Sequence, residues 1–171
     1  YPTLWYEGSF ADKPQKTVGV IGSRKMTEYG KRVCTQIVSD LAESGVSIIS
    51  GLMYGVDLCA HQAAINASGS TIAVLGYGAN YLQSVWYAKN VVSEILYKSR
   101  GIIISQFPPN TTPKRWTFPQ RNHLIAALSD IILVIEADIS SGSLITVDYA
   151  LEMGKDVFAI PGSIFSNQSN G

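Results

Sequence analysis

Six short runs rich in β-branched residues, at 17–21, 46–49, 71–75, 102–105, 131–135 and 157–160, alternate with longer stretches of helical periodicity. Each run is nearly all apolar, which predicts strands covered on both faces. Strand followed by helix, repeated, predicts a three-layer α/β fold: a mainly parallel sheet with helices on either side. Glycines at 45, 69, 101 and 154 fall where each intervening helix should stop in a left-handed C′ residue. The first helix is expected at 28–43, with Val33, Ile37, Val38 and Leu41 on one stripe. Residues 4–6 predict an added edge strand.

One segment breaks the rhythm. Residues 106–121 carry prolines at 108, 109, 113 and 119 and predict an irregular functional loop. The polar run 166–171 predicts a frayed end.

Composition limits the partners. Apolar types make up 46% of the 171 residues and charged types 15%, so one well-buried domain over 1–171 is expected. Thirteen cationic side chains balance thirteen acidic ones, so a polyanion would have to be held by a local patch. No apolar run approaches the roughly 18 residues needed to span a bilayer, and residues 1–3 lack a signal pattern. A soluble, cytoplasmic chain is expected. Cys34 and Cys59, without CxxC spacing, read as reduced, buried thiols, and two separate histidines argue against a metal site.

In an open α/β sheet, ligands bind beyond the carboxyl ends of the strands. The loops expected there hold Gly22, Ser23, Arg24 and Lys25; Gly51 and Tyr54; Gly76; Lys114, Arg115, Trp116, Phe118, Arg121 and Asn122; and Ser141, Gly142, Ser143 and Thr146. Arg24, Lys25, Lys114, Arg115 and Arg121 make this the basic edge of a neutral protein. The turns at Gly22-Ser23 and Gly142-Ser143 are each expected to open a helix, whose free N–H groups suit a phosphate or merely take a serine cap. Trp116 and Phe118 among cations match a single-strand path, with bases stacked and phosphates paired, although such rings also serve as core. Asp57 and His61, four apart, read as a carboxylate–imidazole pair, either catalytic or supporting the loop at a helix start. Glu136 and Asp138 offer carboxylates at a strand end.

Familiar cofactor motifs fail. Gly76-Tyr77-Gly78 lacks the third glycine of a dinucleotide fingerprint, and no GxxxxGK[ST] occurs. No cofactor is expected.

Taken together, several motifs resemble the DNA-processing protein A family, DprA or Smf. They are Gly19-Val20-Ile21-Gly22-Ser23-Arg24-Lys25; Ser50-Gly51-Leu52 with Gly55, Asp57, Ala60 and His61; and Thr71-Ile72-Ala73-Val74-Leu75-Gly76. Further along stand Phe118-Pro119 with Arg121-Asn122; Ile125-Ala126 with Leu128-Ser129; Glu136-Ala137 with 141–146; and Pro161-Gly162. The resemblance implies an extended Rossmann-like domain that binds single-stranded DNA, forms a homodimer, and helps load a RecA-type recombinase in natural transformation, without catalysis. The chain departs from the family pattern at Met53-Tyr54, where an arginine is usual, at 77–85, and at His123, where a second arginine is common. The helical N-terminal and winged-helix C-terminal domains that many members carry are not expected within residues 1–171, whether as a natural minimal form or as an excised core. For self-association, Ile160, Ile164 and Phe165 either form an exposed patch or close the core against Leu4 and Trp5. The competing readings are a nucleotide-phosphate hydrolase, for which Asp148 stands one position early, and a small-nucleotide sensor.

Overall fold

A computed structural model describes residues 3–9, 16–97 and 101–171. Its sheet contains β1 (Trp5–Gly8), β2 (Thr17–Ile21), β3 (Ser47–Ser50), β4 (Thr71–Leu75), β5 (Ile102–Ser105), β6 (Ile131–Val134) and β7 (Asp156–Ala159), in the order β1-β5-β4-β3-β2-β6-β7. Every pairing is parallel except that of β1 with β5. The helices are α1 (Glu28–Glu43), α2 (Val56–Asn66), α3 (Lys89–Tyr97), α4 (Thr117–Leu128) and α5 (Leu144–Glu152). The expected three-layer α/β architecture is what forms.

Alternation along each strand builds the two faces. Val18, Val20, Ile48 and Leu133 pack with α1 and α2, whereas Ile21, Ile49, Ile132 and Val134 pack with α4 and α5. Farther along the first face, Ala73, Leu75 and Ile103 meet α3. Central strands are therefore buried on both sides. The edges differ: β7 leaves Phe158 exposed, because no described helix covers its outer face, and β1 is mostly exposed.

Local corrections follow from close packing. Along α1 the fully buried line is Gly30, Cys34, Val38 and Ala42, with Ile37 and Leu41 beside it. Small side chains set this line: a Cβ on Gly69 would lie 2.6 Å from that of Ala42. Gly45 and Gly154 take the expected left-handed turn, but after α2 that position belongs to Ser68, at φ 56°, one residue before Gly69. The stop expected at Gly101 follows residues 98–100, which lie outside the described residues. Pro119 sits inside α4, contrary to an irregular segment running to 121, because the first helical turn leaves its N–H groups unpaired and so tolerates proline. The C-terminal tail is also tied down: Ala137 N donates to Gln168 O at 2.8 Å, and Gly171 N to Ala137 O at 3.0 Å.

Candidate nucleic-acid interface

Since β2 to β7 run parallel, their carboxyl ends meet at one edge, and the loops there enclose a cavity of about 660 Å³. Its walls bring together Gly22, Ser23, Arg24, Lys25, Lys114, Arg115, Phe118, Arg121, Asn122, Ser141, Gly142, Ser143 and Thr146. Gly51, Tyr54 and Trp116 are not among the lining residues.

The floor is rigid. Ser23 N donates to Glu136 O at 2.7 Å, while Val56 N donates to Ser23 O at 3.2 Å, so the first loop is held from two sides. Gly55, at φ 90°, permits this approach, since a Cβ there would collide with the backbone of Ser23 and Arg24. Ser23 Oγ accepts from Lys25 N at 2.9 Å and forms a local turn. It does not open a helix as expected. That role falls to Thr27, which caps α1 by accepting from Gly30 N at 3.1 Å. The buried Glu136 fixes Thr27 in turn, accepting from its N–H at 2.8 Å and its hydroxyl at 2.5 Å. Both carboxylate oxygens of Glu136 are thus engaged in holding the start of α1.

The second turn does open a helix. Ser143 precedes α5 without a side-chain cap, and its Oγ lies 2.7 Å from that of Ser141. Asn122 reaches across from α4 to donate to Gly142 O at 3.1 Å. The first turn of α5 therefore faces the cavity through Ile145 and Thr146, with the helix's positive end directed there.

The cations divide into two kinds. Arg24, Lys25, Lys114 and Arg115 are exposed around the rim. Arg121 is buried, and it donates to the carbonyl oxygens of Gly51 and Val74 and, through Nε, to Asn122 Oδ1 at 3.1 Å. Sequence reasoning grouped it with the rim, but its hydrogen bonds tie α4 to the ends of β3 and β4. Asp57 is its electrostatic partner: burial raises the Asp57 carboxyl, and Arg121 opposes that rise. The Asp57–His61 pairing does not form. His61 Nδ1 instead lies 2.7 Å from Thr71 Oγ1, and burial, with the field of Arg121, lowers its pKa to about 3.

Of the two expected stacking rings, Phe118 forms cavity wall, packed edge-on to Tyr77 at 6.4 Å, with the Arg121 guanidinium 6.0 Å from its centroid. Trp116 is half exposed and leans on Phe107 at 6.1 Å. Tyr54 stands outside the lining beside Arg24, whose guanidinium lies 5.8 Å from the ring centroid. Met53 and Asp57, from the loop and helix start after β3, also line the cavity. At the far end of the chain, Ile164 and Phe165 are exposed, and they cannot close against Leu4 and Trp5, because β1 and β7 occupy opposite edges of the sheet.

The family described as DNA recombination-mediator protein A matches residues 1–171. The chain belongs to this family. It is 41% identical over 172 residues to the protein Smf of Escherichia coli, covering all of this chain and 46% of that one. The X-ray structure of DNA processing protein A from Streptococcus pneumoniae superposes with a TM-score of 0.84 at 36% identity, covering 96% of this chain and 57% of that chain. A second family structure, from Helicobacter pylori and concerned with that protein's single-stranded DNA binding mode, gives 0.83 at 30% identity, covering 98% and 74%. The chain spans about half the length of the curated relatives it matches. Family membership accounts for the motif order read along the chain, and no described helix is long and apolar enough to cross a membrane.

Proposed function

We propose that the cavity binds single-stranded DNA in a DNA-processing role: protecting an incoming strand and presenting it to a RecA-type recombinase. The observation that carries this reading is the placement of Arg24, Lys25, Lys114 and Arg115 around one cavity, exposed and facing the open turn of α5. Phosphates pair with the rim and meet the positive end of α5, while bases stack on Trp116 and against Phe118. The H. pylori relative supports the choice of ligand.

A homodimer belongs to the same proposal. Ile160 packs partly against the core, but Phe158 on β7 and Ile164 and Phe165 after it are each exposed and apolar, suited to burial against a second copy. Hydrolysis of a nucleotide is disfavoured by a specific feature: Asp148, the carboxylate that reading requires, is exposed and does not line the cavity.

The test is a titration of labelled oligo-dT against wild type and Arg115→Ala, with nucleoside monophosphates as competitors and product analysis. Tight oligonucleotide binding, weakened in the variant and unaffected by monophosphates, is the expected result. Preference for the monophosphate, or its conversion, would overturn the proposal.

A further inference from the structure

Beyond the cavity, three aromatic rings stand in series. Tyr54 meets Tyr87 edge to face, with centroids 5.6 Å apart and planes at 89°, and Tyr87 meets Trp86 in the same manner at 6.1 Å and 83°. The series is joined to the cavity at two points. Arg24, a lining residue, lies over Tyr54, and the Tyr87 hydroxyl reaches Sδ of Met53, also a lining residue, at 3.5 Å.

The middle ring is fixed and the outer two are open. Tyr87 is half-buried in the short helical turn Trp86–Ala88, anchored by the fully buried Ala88. This anchoring forces Trp86 outward, to 83% exposure, and Tyr54 is 46% exposed. A solitary exposed apolar residue needs no explanation. Trp86 is not solitary: it ends a row that begins at a cavity cation, and Lys89, three positions on, is exposed at the start of α3. Aromatic faces set beside cations suit bases stacked along a phosphate backbone, whereas a protein partner would be expected to meet a broader apolar surface.

We infer that Tyr54 and Trp86, braced by Tyr87, form a second stacking platform that carries a single-stranded nucleic acid out of the cavity past Arg24 toward Lys89. The inference rests on the single-strand reading of the cavity and assigns the direction in which the strand leaves it. A strand short enough to lie within the cavity does not reach Trp86, while a longer one does.

The experiment measures the affinity of wild type, Trp86→Ala and Trp86→Phe for oligo-dT of about four and about sixteen nucleotides, the span of known single-strand site sizes. Trp86→Ala should weaken the longer oligonucleotide by about 5- to 150-fold, as expected for loss of one stacked base, and leave the shorter one unchanged. Trp86→Phe should retain most of the affinity for the longer strand. Equal binding of the longer strand by wild type and Trp86→Ala would overturn the platform while leaving the cavity reading intact. Equal weakening at both lengths, or a phenylalanine variant as weak as alanine, would also overturn it. If wild type bound neither length, the cavity reading and the platform would fall together.

Discussion

Arg121 lies against Gly51, its Nη1 donating to the carbonyl oxygen of that glycine and, at 2.5 Å, to the carbonyl oxygen of Val74. A Cβ on Gly51 would collide with this guanidinium and lie 2.6 Å from Asp57 Oδ2, so the loop, the cation and the carboxylate form one packed unit. Removing the arginine takes the charged donor from two buried carbonyl oxygens and the nearby cation from the half-buried Asp57, and each hydrogen bond to a charged group is worth about 1.5 to 3 kcal/mol. Arg121→Ala should lose stability of that order in urea denaturation, and Arg121→Lys should recover little, since an ammonium cannot reproduce the planar fork. Arg115→Ala, at an exposed position, should stay within about 0.5 kcal/mol of wild type.

With Arg121 occupied internally, at most Arg24, Lys25, Lys114 and Arg115 can neutralise phosphates at the rim. Two to four contacts give a salt slope of roughly 1.4 to 2.8 for a single strand. Arg24→Ala or Arg115→Ala should each flatten a plot of log affinity against log salt by about 0.7 and weaken all oligonucleotides alike. Affinity for oligo-dT that is indifferent to salt would remove the rim from the interface.

His61 is lowered to about 3 in the folded chain because it is buried and faces the field of Arg121, with a backbone hydrogen bond at Ser50 opposing the shift. The unfolded chain takes up this proton first, near its ordinary pKa of about 6.5. Stability is therefore whole above that value and declines as the pH falls toward 3. Asp57, raised by burial, works in the opposite direction on its own titration. Thermal melts of His61→Gln should show a shallower loss between pH 7 and pH 4 than wild type, a difference on the order of 3 kcal/mol. Parallel curves would mean that His61 is not the group that titrates.

Cys34 and Cys59 are free thiols on adjacent helices. The neighbouring Cys34, helped by Thr35 and Lys31 and opposed by burial, lowers the Cys59 thiol to about 6. Iodoacetamide should alkylate the half-buried Cys59 with a pH midpoint near that value, below the roughly 8.5 of a free cysteine. Cys34→Ala should move the midpoint upward. Native Cys34, fully buried and pushed up by the neighbouring Cys59 and by burial, should remain unlabelled throughout. A Cys59 midpoint at the ordinary thiol value would show that the two side chains do not interact.

Strand positions and the span of α1 were legible in the chain because they depend on local period: apolar runs give strands, and 28–43 gives a helix wherever the stripe falls. The face of that helix was less legible. Gly30, Cys34 and Ala42 are small, and their burial is decided by Glu136 and Gly69, distant in sequence. The same distinction runs through the site. Motifs that open loops, such as Gly142-Ser143, could be placed by inspection, whereas the partner of Asp57 stands 64 positions away on another helix, and no spacing rule links the two. Trp86 and Tyr87 escaped notice because adjacent aromatics in an irregular stretch look like core until their exposure is known.

The double hold on Ser23 bears on the kinetics of binding. Both backbone groups of this residue are already committed, to Glu136 on one side and Val56 on the other, before any ligand arrives. The floor has little freedom left to surrender, so the ordering cost of capture falls on the long rim side chains. Encounter can then proceed without a slow rearrangement of the loop, and differences in affinity between rim variants should arise mainly from how long the strand resides there.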